Sequence, residues 1–308
     1  MEWEGVRLGK CPQCSSVSIS PAGKRGDGAT VSECCDCGLG FLNPMPTSEE
    51  IQGMYDMYYS RDDGIGYEAY GKGSSPLPVD YVLLDVLKSL GHLKGDTILD
   101  VGCATGSRVA YFKNMGFIAS GIDISAEAVD YGRKTWGVDL HLGRFEDFPG
   151  TKLFDIVTMI DFIEHLPNPE SWTQKVKELT HISSSLFILT PDFDCYRAYG
   201  ERWVGYNRSY EHVLFYSRRS LGNLLERFGF RAKGSLSLST LPVTIETSAR
   251  QDKVPGAAGK IANVRVKLPA MEKIIRLAFS TKERLTYERL ISRDSCANSL
   301  LFYADRSK

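Results

Sequence analysis

Between residues 97 and 231 the chain alternates short apolar runs with longer amphipathic segments. Runs such as TILDVG (97–102), FIASGIDI (117–124) and FDIVTMID (154–161) have the length and composition of strands buried on both faces. The intervening segments carry apolar residues at helical spacing, and Ser125 can cap one of them. Strands that alternate with helices predict an α/β domain, in which helices cover both faces of a doubly wound parallel sheet.

The pattern divides the whole chain into three parts. Residues 1–46 carry two cysteine pairs, and residues 47–94 form a tyrosine-rich connector with a short helix entered at Thr47 or Ser48. The remaining residues, 95–308, form the α/β domain, which is interrupted at about 241–292 by a helical, basic insertion. We therefore expect one large domain with a small amino-terminal module.

The amino-terminal cysteines follow the spacing C-x2-C-x19-C-x2-C, formed by Cys11, Cys14, Cys34 and Cys37. Two such pairs are typical of a zinc ribbon, in which four thiolates close a tetrahedral site and leave no open position. The sequence therefore predicts a structural Zn²⁺ ion. Cys35 is a rival ligand to either of its neighbours.

Charge and composition exclude some classes of protein. The chain of 308 residues has a formal net charge of −1, which is atypical of a protein that mainly grips nucleic acid. Only Lys24 and Arg25 are basic between the first and last of the four cysteines, so we expect a scaffolding module and no nucleic-acid partner.

Location and assembly follow from the same composition. No signal-like or membrane-spanning apolar run is present, so we expect a cytoplasmic protein. From residue 241 onward, 13 Lys or Arg stand against 7 Asp or Glu. For the segment LPAMEKIIRLAFSTKERL in the insertion we favour core packing, with membrane contact or a dimer surface as alternatives. The oligomeric state stays open.

The first βα turn carries the chemistry that points to a ligand. It reads Asp100-x-Gly102-x-Ala104-x-Gly106, which lacks the G-x-G-x-x-G pattern of dinucleotide-binding turns. A carboxylate at the strand end would repel phosphate and favour a cationic ligand. Asp123 ends the second strand, where an acidic side chain can accept both hydrogen bonds of a ribose diol. A ribose beside a cationic amino acid describes S-adenosylmethionine.

With these residues the chain resembles the class I S-adenosylmethionine-dependent methyltransferases. The resemblance implies a Rossmann-like, mostly parallel sheet and S-adenosylmethionine as cofactor. It also implies that Phe145, in GRFEDFP, lies against the adenine and that Asp161 lies near the methionine end. The cofactor-binding residues it implies in all are Asp100, Gly102, Ala104, Gly106, Asp123, Ile124, Phe145 and Asp161.

The cysteine pairs, the tyrosine-rich connector and YEHVLFYSRRSLGNLLERFGF (210–230) together resemble a bacterial subgroup of these enzymes with an amino-terminal zinc-binding domain. This subgroup includes sugar C-3 methyltransferases. The resemblance implies methyl transfer to oxygen or carbon of a small polar acceptor, a sugar or sugar-bearing metabolite, in carbohydrate or natural-product biosynthesis. An RNA methyltransferase with a zinc module and a non-catalytic binding protein that keeps the fold are the alternatives.

Transfer to a hydroxyl or an enolisable carbon requires a base. His212 follows the fifth strand on the carboxyl-end side of the sheet, and we expect it to be that base. The sugar methyltransferases resembled here use a Glu–His pair at the matching place, which implies that Glu211 is its partner or contacts the substrate. Packing of His212 under the following helix is the structural alternative.

A second histidine lies in a short carboxylate-rich motif. Asp161, Glu164 and His165 stand at i, i+3 and i+4, so one helical turn would bring them to a single face. A structural role for His165 is favoured, with contact to the substrate next. A divalent metal, which related O-methyltransferases bind through E-x-x-E-H, is the third use.

Tyrosines crowd the connector before the α/β domain. Tyr58, Tyr59, Tyr67 and Tyr70 are candidates for a lid over cofactor and acceptor, because phenol faces attract a sulfonium cation. Packing of the amino-terminal module against the domain explains them equally well.

Overall fold

The computed structural model describes residues 4–59, 76–200, 203, 211–238 and 299–307. The strands in these ranges are β1 (Ile19–Lys24), β2 (Thr30–Cys34), β3 (Gly40–Leu42), β4 (Thr97–Val101), β5 (Ile118–Asp123), β6 (Asp139–Leu142), β7 (Phe154–Ile160), β8 (Thr180–Pro191), β9 (Leu214–Phe215), β10 (Phe230–Leu238) and β11 (Ser299–Arg306). The α-helices are α1 (Ser48–Tyr59), α2 (Pro78–Ser89), α3 (Ser107–Asn114), α4 (Ala126–Trp136), α5 (Pro169–Glu178), α6 (Phe193–Tyr199) and α7 (Arg218–Arg227). Two 3₁₀ helices span Phe145–Asp147 and Ile163–His165.

Seven strands form one sheet in the order β10-β11-β8-β7-β4-β5-β6. The five strands from β8 to β6 are parallel to their neighbours, and β11 and β10 are antiparallel additions. The prediction of a doubly wound, mostly parallel sheet is therefore confirmed. The strand order reverses at β4, and ligands of such sheets bind beyond the carboxyl ends of the strands at this reversal.

The two faces of the sheet bury alternate residues of each strand, as the strand period of two requires. Ile98 of β4 packs in a cluster with α2 and α3, which includes Val82 and Phe112. Leu99, its neighbour, faces the other side, where α5 contributes Trp172. Helices therefore cover both faces, as predicted from the alternating pattern.

Local signals fix the helix ends near the reversal. Ser125 caps α4, because its hydroxyl accepts a hydrogen bond of 3.2 Å from the backbone of Ala128. Gly137 ends the same helix in the left-handed region, with φ of 59°. Thr47 caps α1 in the same way, through a 3.2 Å bond from the backbone of Glu50.

A second sheet joins the amino-terminal module to the α/β domain. Its order is β1-β2-β3-β9, so three strands come from the first 42 residues and the fourth follows His212 in the chain. Gly40 pairs with Phe215 and Phe41 pairs with Leu214. The sequence analysis did not predict β3, β9 or α6. The predicted boundary after residue 46 stays a prediction, although hydrogen bonds connect the two parts.

Several predicted features lie outside the described residues. These are the whole insertion at 241–292, Tyr67 and Tyr70. Within the ranges given above, no helix combines the length and the apolar character needed to span a lipid bilayer.

Candidate active site

The loop after β4 begins and ends in a backbone conformation that favours glycine. Gly102 and Gly106 have φ of 70° and 71°, and Ala104 between them has φ of 47°. A Cβ atom on Gly102 would lie 2.6 Å from Cδ2 of Phe162, so a side chain there would displace the aromatic ring. The loop therefore presents bare backbone at the carboxyl end of β4.

Asp100 lies beneath this loop and does not face it. Its carboxylate has no exposed surface, and it accepts a 2.6 Å hydrogen bond from the Thr158 hydroxyl and two 3.3 Å bonds from the Arg108 guanidinium. Arg108 also donates a 2.7 Å bond to the buried carboxylate of Asp80 on α2. Asp100 thus shares a buried cation with Asp80, and its role toward a cationic ligand stays a prediction.

Asp123 is the strand-end carboxylate that stays partly accessible. One oxygen accepts a 2.8 Å hydrogen bond from the backbone of Ala104, and the other accepts a 2.9 Å bond from the backbone of Ser125. Burial raises the pKa of this carboxyl, and these backbone donors oppose the shift. Ile124, the next residue, is 48% exposed. Both lie where the resemblance places the ribose and the adenine.

Phe145 does not offer its ring to a ligand. The side chain is buried in the core, with its ring edge-on to Phe162 at a centroid distance of 6.1 Å. Contact between this ring and an adenine is therefore not available in this conformation, and the 3₁₀ helix leaves only the backbone of Phe145 for such a role. Phe162, which the sequence analysis did not single out, packs between the glycine loop and Phe145.

Asp161 follows β7 at the same edge of the sheet. Its φ of 51° lies in the left-handed region, and its backbone donates a 2.9 Å hydrogen bond to Leu189. The residue as a whole is exposed, yet desolvation of its carboxyl group raises the pKa of that group to about 6. The nearby charge of Arg108 opposes this shift. Asp161 and Asp123 are thus the carboxylates that a ligand at this edge can reach.

A cluster of titratable groups lies beyond Asp161. Glu164 is fully buried, and its Oε2 accepts a 3.0 Å hydrogen bond from the Thr190 hydroxyl. Its Oε1 lies 3.8 Å from Nε2 of His212, which is also buried. Burial and the nearby charge of Asp161 raise the pKa of Glu164 strongly. The neutral form of Glu164 is therefore favoured unless a cation lies beside its carboxyl group.

Glu164 is a neighbour of His212 that the sequence analysis did not expect. Glu211 is half-buried and takes part through its backbone, which bonds to the His165 ring. His165 also bonds to the backbone of Asp161, and burial lowers its pKa to about 4. The neutral His165 ring thus links two segments of the site. The role of Glu211, as partner of His212 or as a contact to the substrate, stays a prediction.

The same groups form a candidate metal centre. One ligand atom each from Glu164, His165 and His212 lie within 4.8 Å of one another. A carboxylate and two imidazoles are a donor set that first-row divalent metals accept. The second histidine comes from a segment distant in sequence, and its approach could not be read from the E-H motif alone.

The four amino-terminal cysteines converge as their spacing predicts. Their sulfur atoms lie within 4.8 Å of one another, with Cys11 Sγ 3.6 Å from Cys37 Sγ and Cys14 Sγ 3.5 Å from Cys34 Sγ. A tetrahedral zinc site with Zn–S bonds of about 2.3 Å requires sulfur separations of about 3.8 Å. Cys35 is exposed and lies outside this cluster, beside the Ser20 hydroxyl.

The predicted lid is described only in part. Tyr58 and Tyr59 are the last residues of α1, and the structure gives their backbone alone. The role of Tyr59 over the acceptor therefore stays a prediction. Tyr81, the last of the connector tyrosines, packs edge-on against Tyr111 of α3 at 5.8 Å.

The sequence analysis missed functional groups whose partners are distant in the chain. The position of Arg108 could have been noticed in the sequence, since a basic residue two positions after Gly106 stands within reach of the strand end. No sequence feature indicates the contact between Glu164 and His212. None indicates the role of Arg25, whose guanidinium donates a 2.6 Å hydrogen bond to the carbonyl of His212.

Comparison with known proteins adds the following. A profile of the family described as "Methyltransferase domain" matches residues 79–233, half of the chain. The "Ubiquinone biosynthesis O-methyltransferase" of Glaesserella parasuis serovar 5 is 34% identical over 110 residues, 32% of this chain and 46% of that protein. The protein of the same name from Aromatoleum aromaticum is 26% identical over 176 residues, 52% of this chain and 75% of that protein.

A solved S-adenosylmethionine-dependent methyltransferase from Clostridium acetobutylicum superposes with a TM-score of 0.48 and 9% identity, covering 84% of this chain and 99% of that chain. The chain spans about half the length of the first curated relatives it matches.

These names correct one expectation. The sequence analysis expected a sugar or sugar-bearing acceptor and a place in carbohydrate biosynthesis. The curated relatives are named for ubiquinone biosynthesis, so that expectation is wrong. The expectation rested on the cysteine pairs and most of the connector, which lie outside the matched region, and on residues 210–230, which lie within it.

Replacing Arg108 with Met would leave two buried carboxylates without their cation. We expect the free energy of unfolding to fall by about 3–5 kcal/mol, because breaking a buried ion pair strands its partner charge. Urea unfolding followed by circular dichroism measures the change. Arg144→Met is the matched control, because Arg144 is 72% exposed and 3.9 Å from Glu146. A loss in Arg108→Met no larger than in the control would contradict the role given to Arg108.

Proposed function

Because this chain belongs to the family of methyltransferase domains, we propose that it transfers a methyl group from S-adenosylmethionine to a hydroxyl oxygen of a small, quinone-related acceptor. The proposal rests on the groups that lie at the carboxyl ends of the parallel strands. There the bare glycine loop, the accessible Asp123 and the His212–Glu164 pair all follow the carboxyl ends of neighbouring strands.

The cofactor would be held by the loop and by Asp123. Asp123 already accepts one backbone hydrogen bond on each oxygen, and each oxygen keeps a lone pair for a ribose hydroxyl. The backbone from Gly102 to Gly106 would border the methionine part, because no Cβ intrudes at either end of the loop. Asp161, exposed at the end of β7, would carry the negative charge that suits the ammonium or sulfonium group.

The acceptor's proton would go to His212. S-adenosylmethionine supplies an electrophilic methyl group, so the protein must aim the acceptor oxygen and remove its proton. His212 takes that proton at a ring nitrogen, and Glu164 at 3.8 Å stabilises the charge that forms. Because burial raises the pKa of Glu164, this effect requires that the cation on His212 keep the Glu164 carboxyl group ionised.

The class of acceptor rests on the relatives' name and on the strength of the base. A hydroxyl on an aromatic ring has a pKa of about 10, as in tyrosine, and a histidine accepts its proton far more readily than that of an aliphatic alcohol. A neutral imidazole is therefore a sufficient base for ring hydroxyls of quinol-type compounds.

The four clustered cysteines would hold a structural Zn²⁺ ion. Their sulfur separations are close to those of a tetrahedral thiolate site, and the site has no position for a substrate. The ion would fix the β1–β2 hairpin and the turn before β3.

Binding of S-adenosylhomocysteine tests the cofactor site. We expect Asp123→Asn to weaken binding about tenfold to a hundredfold, because a hydrogen bond to a charged group contributes about 1.5–3 kcal/mol. Isothermal titration calorimetry measures the dissociation constant, and Asp130→Asn on the exposed face of α4 is the control. Absence of binding to the unmodified protein, or unchanged binding to Asp123→Asn, would overturn the assignment.

Turnover tests the base. With catechols and hydroxyquinols as acceptors, we expect His212→Asn to lower kcat about 10²- to 10⁴-fold while leaving S-adenosylhomocysteine binding unchanged. His141→Asn, at an exposed position on β6, is the control. Full activity of His212→Asn would remove the base assignment, and no turnover of any ring hydroxyl would remove the acceptor class.

The same assay separates the base from the metal alternative. A chelator used for this purpose must be weak enough to leave about one zinc ion per chain at the cysteines, because loss of that ion would also disturb His212. If His212 acts as a base, such treatment leaves the rate of methyl transfer unchanged. If Glu164, His165 and His212 hold a divalent ion, chelation abolishes turnover and added Mg²⁺, Mn²⁺ or Zn²⁺ restores it.

Elemental analysis tests the zinc site. We expect about one zinc ion per chain in the purified protein, and close to none in Cys11→Ser, because a site with three thiolates loses its closed tetrahedral set. Cys35→Ser should retain the ion, since Cys35 lies outside the cluster. Equal zinc content in Cys11→Ser and the unmodified protein would contradict the assignment.

A further inference from the structure

Arg25, in the turn after β1, sends its side chain into the α/β domain. The guanidinium has no exposed surface, and it makes two parallel bonds to the Asp27 carboxylate, of 3.0 and 2.7 Å. Its remaining nitrogen donates a 2.6 Å hydrogen bond to the carbonyl oxygen of His212. The amino-terminal hairpin thus touches the backbone of the residue to which we assign the proton transfer.

The carbonyl of His212 and the N–H of Val213 belong to one planar peptide unit. The N–H of Val213, which points away from the His212 carbonyl within that plane, donates a 2.9 Å hydrogen bond to the carbonyl of Glu164. The carbonyl of Val213 accepts a 3.0 Å bond from the backbone of Leu42 in β3. The peptide is therefore held between the hairpin and the 3₁₀ helix that carries Glu164.

We propose that Arg25 is a positioning residue for methyl transfer, which makes the amino-terminal module a structural part of the active site. By fixing the peptide after His212, Arg25 fixes the direction of the His212 side chain relative to Glu164. The inference rests on the proposed function for its catalytic consequence, but the position of the ring can be measured without it.

The chemistry of the contact suits this role. An arginine whose charge is already matched by Asp27 can donate to a neutral carbonyl without leaving a buried ion unpaired. The Arg25 charge in turn lowers the pKa of Asp27 against the effect of burial, so the pair stays ionised within the hairpin. The planar guanidinium serves three acceptors at fixed angles, which a lysine cannot do.

A second arginine offers a matched comparison. Arg227 of α7 also links the two parts through a guanidinium–carbonyl bond, of 2.6 Å to Gln13, and also pairs with a carboxylate, that of Glu170. No contact of Arg227 described here reaches His212, Glu164 or His165. Its loss should weaken the same interface without turning the His212 ring.

The experiment compares Arg25→Met, Arg25→Lys and the double variant Arg25→Met/Asp27→Asn with Arg227→Met, all in the full chain. We expect Arg25→Met to lower kcat about tenfold to a hundredfold, since a displacement of about 1 Å at a reacting group has effects of this size. The KM for S-adenosylmethionine should change by less than about threefold, because Asp123 and the glycine loop are untouched. Arg25→Lys should recover part of the rate, and Arg227→Met should stay within about threefold of the unmodified protein.

A second readout does not depend on the acceptor. The chain has five histidines, so the ring signals in ¹³C,¹⁵N-histidine NMR spectra can be assigned by single replacement. We expect the His212 signal to shift in Arg25→Met and in the double variant, but not in Arg227→Met. The double variant removes both charges and keeps the test valid if Arg25→Met alone does not fold.

The outcomes separate the two proposals. No turnover and no cofactor binding in the unmodified protein would remove the proposed function, whereas the NMR comparison would still decide the role of Arg25. An unmoved His212 signal in both Arg25 variants, or an equal shift in Arg227→Met, would overturn the inference. Loss of the fold in all three Arg25 variants would also overturn it, because Arg25 would then be required for folding as a whole.

Discussion

The buried guanidinium of Arg108 holds together the half of the site built by the parallel sheet. It lies between Asp80 on α2 and Asp100 on β4, at 2.7 and 3.3 Å. The three elements α2, β4 and α3, which surround the glycine loop, thereby share one network of charged side chains. Without it, Asp100 would be an unpaired carboxylate in the core, directly below the loop that must stay open. The conformation of the loop thus depends on an ion pair that no ligand touches.

The other half of the site depends on the amino-terminal sheet. His212 stands just before β9, a strand of two residues that has no partner in the parallel sheet. Such a short strand is not stable alone, and its pairing with β3 supplies the missing hydrogen bonds. Cys34 and Cys37 flank the turn between β2 and β3, so a metal at the cysteines would act on the position of His212 through this sheet.

The sequence predicts well those structural features that short stretches of chain determine. Periodicity predicted the parallel strands and their helices, and the turn after β4 was recognisable because only a few residue types tolerate its backbone. The spacing of the cysteines likewise predicted their convergence. These features depend on residues within one or two turns of the chain, so propensity and spacing suffice.

The sequence does not predict which side chains meet across the site. Asp100 was expected to face a ligand, but a strand-end carboxylate can point either way, and Arg108 decided the direction. Phe145 was expected beside an adenine, but its ring adds to the core. Glu164 lies beside His212 although it stands 48 residues earlier in the chain, and no spacing in the sequence indicated this contact. Such contacts are set by packing between distant segments.

The environment of Glu164 connects these observations to the chemistry. A carboxylate with no exposed surface is costly to ionise unless a cation lies beside it, and Nε2 of the His212 ring lies 3.8 Å from Oε1 of Glu164. In the proposed reaction, a proton taken up by His212 would therefore favour the ionised form of Glu164. This interaction weakens as the distance between the two groups grows. The distance is set by one peptide unit, which Arg25 holds from one side and the carbonyl of Glu164 holds from the other. The acid–base chemistry of this site is thus adjusted through the backbone, and the amino-terminal hairpin is the element that adjusts it.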